Sequence, residues 1–279
     1  MGLWFRYNRA MGSNRLILGG HSFIAQLGSD PAPDTKTQDA IVAACLDAGI
    51  TTFDTTYLPE RVALGSSLQR LGRRSEAQLI AWNFFTNFGP EGSVGGHAPY
   101  EPQHIGQILR ELQSEHIEHL VVHPVSDPAA QERQEALAVS WQQAGHVGRL
   151  GTWMPPLDTP QPGPYAFAVA PCNVTNADDA TPRFAAYKAL GWETLATSPF
   201  VRGWELDKQV EGQGKDKATV ADEMLRFSAF FPNVDKLIVA MRRPEWVAIN
   251  CASVARGEHF IRRSRSSRPS PRSSCRRTS

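Results

Sequence analysis

The stretch TTFDTTYLPERVALG, residues 51–65, contains a strand, a loop and a helix in fifteen residues. Its apolar start predicts a buried strand that ends at Asp54, and the proline near the start of the charged remainder predicts the first turn of a helix. The loop between them carries Asp54 and Tyr57. An acid and a phenol at the end of a strand are typical of a proton-transfer site, although the same residues also suit the start of a helix.

The order strand, loop, helix repeats along the chain. Eight strands are predicted, and helices are predicted after most of them. Residues 155–164, where a fifth helix is expected, are rich in proline and cannot form a regular one. The predicted strands cover residues 15–20, 51–54, 77–84, 119–123, 147–153, 165–174, 193–200 and 235–241. The predicted helices cover residues 35–50, 59–72, 101–117, 127–145, 180–191, 218–232 and 243–257.

Repeated strand–helix units imply parallel strands and an α/β fold. Eight such units in about 240 residues favour a (β/α)8 TIM barrel over an open doubly wound sheet. No GxGxxG motif follows the first strand, which further weakens the open-sheet alternative.

The chain of 279 residues, 41% of them hydrophobic, is long enough for one large core or two small ones. We expect a barrel at residues 15–260, an N-terminal extension at 1–14 and a disordered Arg/Ser-rich tail at 261–279. The tail holds seven arginines, and the rest of the chain has 22 Lys and Arg residues against 28 Asp and Glu residues. The body is therefore acidic and is not expected to bind nucleic acid, while an RS-like nucleic-acid contact by the tail is the less favoured interpretation.

The remaining composition favours a cytoplasmic protein. The four cysteines have no metal-ligand spacing, which predicts reduced thiols and no metal site. No apolar run approaches the roughly 20 residues that span a bilayer, and the N-terminus lacks the apolar segment of a secretory signal. The oligomeric state stays open.

In a (β/α)8 barrel the site lies at the C-terminal ends of the strands. The strand ends of this chain therefore point to a set of polar and aromatic candidates. They are His21, Asp54, Tyr57, Asn83, His123, Trp153, Asn173, Asn176, Ser198 and Arg242.

Segments spread over residues 15–256 resemble the aldo-keto reductases. CLDAGITTFDTT (45–56) is close to the family's signature around its catalytic aspartate, and LVVHP (120–124) is similar to its fourth strand. TSPF (197–200) resembles its seventh strand, and LIVAMRRPEWVAIN (237–250) resembles its terminal cofactor segment.

The resemblance implies an NADP(H)-dependent oxidoreductase that acts on a small carbonyl compound. In that family the cofactor supplies a hydride, a tyrosine protonates the nascent alkoxide, a lysine paired with an aspartate lowers the pKa of the tyrosine, and a histidine orients the substrate. Asp54 matches the aspartate, His123 matches the histidine, Asn83 stands at the lysine position, and Tyr57 is the nearest tyrosine. We therefore expect these four residues in the catalytic site.

The match is incomplete in the catalytic set. The family's tyrosine lies five residues after the aspartate, where this chain has Pro59, and Tyr57 lies only three residues after Asp54. Asn83 can donate a hydrogen bond but cannot carry the charge that lowers the pKa of a phenol.

The cofactor segment matches better than the nicotinamide side. Trp153 and Met154 stand near the family's Ser-Asn pair, and Thr197 replaces an aromatic residue that stacks on nicotinamide. The resemblance nevertheless implies that cofactor-binding residues lie in the later strand ends and the last helix. They are Asn173, Ser198, Arg242, Arg243 and Asn250, with either arginine near a 2′-phosphate at the helix start.

Three functions stay open. The first is a working aldo-keto-reductase-type oxidoreductase with a rearranged site, which the whole-chain resemblance favours. The second is a catalytically inactive barrel that binds a nucleotide, a metabolite or a protein partner. The third is a barrel enzyme of another class that uses Asp54 and His123 for acid–base chemistry without nicotinamide.

Overall fold

The computed structural model of the chain describes residues 14–25, 31–85, 96–157, 163–201 and 206–257. Within these residues, parallel strands follow one another in chain order around a closed barrel. They are β1 (Leu16–Leu18), β2 (Thr52–Thr55), β3 (Gln78–Trp82), β4 (Ile117–Val122), β5 (Val147–Trp153), β6 (Phe167–Pro171), β7 (Glu193–Thr197) and β8 (Lys236–Val239). Three residues of β1 pair with β8, and this pairing closes the barrel. The prediction of a (β/α)8 TIM barrel is confirmed.

The helices of the described residues surround the barrel. They are α1 (Thr35–Asp47), α2 (Leu58–Leu71), α3 (His104–Glu111), α4 (Pro128–Gln143), α5 (Ala177–Ala189), α6 (Leu206–Val210), α7 (Lys217–Ala229) and α8 (Pro244–Ala255). The short helix α6 was not predicted. Helix α3 is shorter than the predicted 101–117 at both ends, and at its C-terminal end Gln113, two residues after Glu111, takes a left-handed conformation with φ 49° that ends the helix.

Local signals explain the helix ends. The side chain of Asp34 accepts a hydrogen bond from the backbone N–H of Thr37 at 2.8 Å and begins α1. Gly72 ends α2 in a left-handed conformation with φ 65°, which glycine adopts without steric cost.

The barrel interior is a separate apolar cluster. Its buried members are Ile17, Ile80, Trp82, Val121, Phe167, Val169, Leu195 and Ile238, with Phe84 and Trp153 packed against them. The alternation of side chains along β3 places Ile80 and Trp82 inside, while Leu79 and Ala81 join the larger core between strands and helices. This alternation decides which residues reach the mouth of the barrel.

Several predictions concern residues outside the described ranges. These are nearly all of the N-terminal extension and the Arg/Ser-rich tail at 261–279. Among the described residues, no helix is long and apolar enough to cross a membrane.

Candidate active site

Asp54 lies at the C-terminal end of β2 and is buried. Its Oδ1 accepts a hydrogen bond of 2.6 Å from the indole Nε1 of Trp82, which lies at the end of the adjacent strand β3. Burial raises the pKa of Asp54 to about 7, the Trp82 hydrogen bond opposes this rise, and the nearby Glu60 adds to it. The aspartate is therefore paired with a neutral donor.

Tyr57 begins α2, and its side chain is also buried. Its ring makes an edge contact with Phe84 at 5.4 Å between ring centroids and lies almost parallel to the ring of His21 at 6.0 Å. Burial raises the pKa of Tyr57 to about 12, and the charge of Glu60 adds to the rise. The phenol is thus held protonated at neutral pH.

His123 directly follows β4, and its ring also contacts the ring of Phe84. The centroids of the His123 and Phe84 rings are 5.5 Å apart, and Trp153 stacks on His123 at 6.1 Å. The Nδ1 of His123 lies 3.1 Å from the carbonyl oxygen of Pro124. Burial lowers the pKa of His123, and the Pro124 contact opposes that effect. A neutral ring whose Nδ1 proton is donated to Pro124 presents Nε2 as a hydrogen-bond acceptor.

These contacts bring Asp54, Tyr57 and His123 to one end of the barrel. Phe84 contacts the rings of Tyr57 and His123 and, at 6.4 Å, the ring of Trp82, which in turn donates to Asp54. Aromatic rings are therefore gathered at this end of the barrel, and one of them, Trp82, is hydrogen-bonded to the buried carboxyl group of Asp54.

Asn83 takes a different place. Its Nδ2 donates to the carbonyl oxygens of Ala98 (2.9 Å) and His123 (3.2 Å) and to Oε1 of Gln134 (3.4 Å), and its Oδ1 accepts from the backbone N–H of His123 (2.9 Å). These partners lie in the segment before α3, directly after β4 and on α4. The Asn83 amide therefore holds the backbone that carries His123, and Trp82 is the β3 residue that reaches Asp54.

The side chain of Arg242 also forms hydrogen bonds with backbone carbonyl groups. Its guanidinium donates to the carbonyl oxygens of His21 (2.9 Å), Ile24 and Pro31 (2.5 Å), and its side chain is buried. These hydrogen bonds link the segment after β1 to the start of the last helix.

Arg243 and Asn250 lie on the outside of the barrel. Arg243 is exposed, it is the N-cap of α8 without a side-chain capping bond, and its guanidinium carbon lies 5.5 Å from the centroid of the Trp246 ring. Asn250 is half-buried within α8. An exposed cation beside an uncapped helix N-terminus suits an anionic group.

Asn173 and Ser198 are linked to each other. The Nδ2 of Asn173 donates to the backbone carbonyl oxygen of Ser198 at 3.1 Å, and its Oδ1 accepts from the backbone N–H and hydroxyl of Thr175. Ser198 is exposed and has a φ of 58°, in the left-handed region. The ends of β6 and β7 are thereby held together on the side of the mouth away from Asp54.

Glu60 and Trp82 were not identified as site residues from the sequence. Glu60 has no exposed surface, and its Oε2 accepts hydrogen bonds from the backbone N–H groups of Thr56 (2.6 Å) and Tyr57 (3.2 Å). An acid three residues after a helix N-cap is the signal that predicts such a capping arrangement. Trp82 lies in an apolar run without alternation, so the sequence offers no signal that it faces the interior.

Among the described residues, no group of three or more His, Cys, Asp or Glu side chains could hold a metal ion.

No protein-family profile and no curated protein sequence matches this chain. Solved structures do match, with sequence identities below one quarter. A putative aldo-keto reductase from Pseudomonas aeruginosa is 18% identical with a TM-score of 0.65, covering 87% of this chain and 90% of that chain. The holo form of an aldo-keto reductase from Bacillus halodurans is 15% identical with a TM-score of 0.69, covering 88% of both chains. A glycerol dehydrogenase from Gluconobacter oxydans is 17% identical with a TM-score of 0.64, covering 88% of this chain and 87% of that chain.

Each of these likenesses extends over 87–88% of this chain. Two of the three structures are described as aldo-keto reductases, and the third is described as a glycerol dehydrogenase. At this level of identity they concern the fold. The chain therefore has the (β/α)8 barrel fold of the aldo-keto reductases.

Proposed function

We propose that the chain is an NADP(H)-dependent oxidoreductase of the aldo-keto reductase type that acts on a small carbonyl compound. The observation that carries the proposal is one set of contacts at the C-terminal mouth of the barrel: Phe84 contacts the rings of Tyr57, His123 and Trp82, and Trp82 donates a hydrogen bond to Asp54. In barrels of this kind the mouth is where chemistry takes place.

The start of α8 fits the phosphate end of the cofactor. The first-turn N–H groups of α8 have no side-chain cap, and Arg243 is exposed beside them. A 2′-phosphate placed there would receive both the helix dipole and a guanidinium. Asn250 lies on the same helix, whereas Arg242 already donates to three carbonyl groups. We therefore assign the phosphate to Arg243.

The site residues would handle the proton. When bound, the nicotinamide supplies or accepts the hydride. Tyr57, whose pKa of about 12 keeps its hydroxyl protonated, would donate that proton to the carbonyl oxygen as it becomes an alkoxide. His123, with Nε2 as an acceptor, would orient the hydroxyl group of the alcohol form. The aromatic rings of Phe84 and Trp153 would exclude water from the reacting carbonyl.

Turnover with a panel of aliphatic and aromatic aldehydes tests this proposal. The wild type should oxidise NADPH with at least one aldehyde, and Tyr57→Phe should lower kcat by roughly 100-fold or more because it removes the proton donor. Tyr165→Phe is the matched control, since Tyr165 donates to Glu135 outside the mouth. Equal rates for wild type and Tyr57→Phe would remove Tyr57 from the mechanism.

A second candidate is a catalytically inactive barrel that binds a nucleotide, a metabolite or a protein partner. Two observations favour it: the partner of Asp54 is the neutral indole of Trp82, and the amide of Asn83 is used to hold backbone. NADPH binding without oxidation by any aldehyde of the panel would support this candidate over the first.

A further inference from the structure

Glu60 is a buried acid that the proposed mechanism has not used. One carboxylate oxygen, Oε2, accepts two backbone hydrogen bonds at the start of α2. The other, Oε1, is shielded from solvent and accepts no hydrogen bond from the described residues. A buried polar atom in that state lacks the hydrogen bond that would offset its loss of hydration. The fold therefore retains Oε1 in an unfavourable setting in the first turn of α2, the helix that Tyr57 begins.

The group that Oε1 faces is His21. The His21 Nε2 lies 3.7 Å from Glu60 Oε1, and the side chain of His21 is 47% exposed whereas that of Glu60 is fully buried. The His21 ring lies almost parallel to that of Tyr57, with an interplanar angle of 16°. His21 thus reaches from solvent to both Glu60 and Tyr57.

Gly20 makes this approach sterically acceptable. A Cβ atom at Gly20 would lie 2.6 Å from Cδ of Glu60 and 2.9 Å from the backbone oxygen of Asp54. Only a residue without a side chain lets the turn that carries His21 come this close to the carboxyl group.

We propose that Glu60 and His21 together hold the proton that is returned to Tyr57 after each catalytic cycle. This role rests on the proposed function for the step in which Tyr57 loses its proton. In that step the O–H bond of Tyr57 breaks and the O–H bond of the alcohol forms, which leaves a phenolate. The proton of the pair passes to the phenolate, and solvent restores it through the exposed ring of His21. Tyr57 is the catalytic residue, and Glu60 and His21 are positioning residues.

The charges around the pair are consistent with a shared proton. Burial raises the pKa of Glu60 to about 7, which its two backbone hydrogen bonds and Arg61 oppose, and burial and Arg242 lower the pKa of His21. Asp54 and Tyr57 are the other titratable groups near enough to Glu60 to interact with its charge. Near neutral pH the pair therefore holds a proton without a net positive charge, which distinguishes it from a lysine.

The cofactor-free protein provides the first test. The imidazole resonance of His21, identified by its absence in His21→Phe, should titrate in two steps in NMR spectra because ionisation of Glu60 alters it. In Glu60→Gln one step should disappear, while in Asp54→Asn both should remain. A His21 titration that is the same in wild type and Glu60→Gln would overturn the proposal.

Kinetics provide the second test. In the wild type, kcat for carbonyl reduction should fall as the pH rises through about 7 and the pair loses its proton. Both Glu60→Gln and His21→Phe should remove this limb and lower kcat by about tenfold or more with KM unchanged. His21→Phe keeps a ring against Tyr57 at a half-exposed position, so it remains informative if Glu60→Gln fails to fold.

Two variants serve as controls. Glu118→Gln changes a carboxylate that accepts from the backbone N–H of Leu79 at the other end of the barrel. His104→Phe changes a histidine that stacks on Phe85 at 3.6 Å. Both should keep the wild-type pH profile.

The two tests separate the inference from the function beneath it. Turnover by the wild type with an unaltered pH profile in Glu60→Gln and His21→Phe would overturn the proton-holding role and leave the oxidoreductase intact. Coupled titration of His21 and Glu60 without any turnover would support a shared proton and overturn its catalytic use together with the proposed function.

Discussion

At the scale of single residues, the site is distinguished by two buried carboxyl groups whose hydrogen-bond donors, among the residues that the structure describes, are neutral. Asp54 receives the indole N–H of Trp82, and Glu60 receives two backbone N–H groups. Neutral donors stabilise a carboxylate less than a charged partner does, so burial prevails and raises both pKa values to about 7. The folded state therefore favours the protonated form of both carboxyl groups over the ionised form.

Stability should consequently fall as the pH rises. A carboxyl group whose pKa is higher in the folded than in the unfolded state binds extra protons when folded, and the stability this provides is lost as the pH passes from about 4 to about 7. The ionisation of each carboxyl group should lower the free energy of unfolding by roughly 2–4 kcal/mol over that pH range. Urea unfolding at about pH 5 and about pH 8 measures the difference.

Asp54→Asn and Glu60→Gln should each flatten this dependence, because an amide does not titrate. Asp39→Asn is the control, since the hydrogen bond from Arg70 lowers the pKa of that half-exposed carboxyl instead of raising it. A wild-type protein that is equally stable at both pH values would contradict the assigned pKa shifts.

At the scale of elements, helix α2 connects the site to its neighbour α3. Gly65 lies in the middle of α2, where a Cβ atom would meet the backbone carbon and oxygen of Leu112 at 2.5 and 2.6 Å and the oxygen of Glu111 at 2.7 Å. Backbone atoms cannot rotate aside as a flexible side chain can. The close approach of these helices therefore depends on the absence of a side chain at residue 65.

Gly65→Ala should destabilise the protein by about 1–3 kcal/mol, although alanine is the better helix former. Gly106→Ala is the matched control in α3, because a Cβ there meets only the guanidinium of Arg110, at 3.3 Å. The control should be neutral or should stabilise by up to about 1 kcal/mol. Thermal unfolding of both variants decides: a stabilising Gly65→Ala would show that the two helices do not pack as described.

The elements were more predictable than the directions of their side chains. Turn residues and apolar runs predicted all eight strands, because each strand–helix unit carries its own local signals. Asn83 was predicted in the site from its position in the chain, yet its side chain lies between β4 and α4. The strand before it is apolar on both faces, so no alternation indicates which residue faces inward. Trp82 becomes the partner of Asp54 only once the register is known.

Glu60 illustrates a second limit. Its position in the first turn of a helix is predictable, but its complete burial depends on Gly20 and His21, which lie about forty residues earlier in the chain. Contacts of this kind arise when the barrel closes and have no local signal in the sequence.

At the scale of the whole molecule, the barrel separates two kinds of charged group. The mouth near β2 carries carboxyl groups, and the start of α8 carries an exposed arginine with an uncapped helix terminus. An extended anionic cofactor would therefore place its phosphate at α8 and its reactive ring near the aromatic mouth. Arg243, and not Arg242, is assigned to the phosphate because Arg242 already donates to three backbone carbonyl groups.

Arg243→Ala should weaken NADPH binding by roughly tenfold, in line with the loss of one charge-assisted contact worth about 1.5 kcal/mol, and should change NADH binding little. Arg256→Ala is the control at the opposite end of α8, where the guanidinium pairs with Asp222. Equal NADPH affinities for the wild type and Arg243→Ala would place the phosphate elsewhere.

A fluorescence titration of the purified protein with NADPH measures whether this barrel binds a nicotinamide cofactor, on which the proposed oxidoreductase function depends. We expect saturable binding with a Kd in the range of about 1 μM to 1 mM, which is the usual range of KM values for enzymes. The absence of saturable binding up to about 1 mM NADPH would contradict the oxidoreductase assignment.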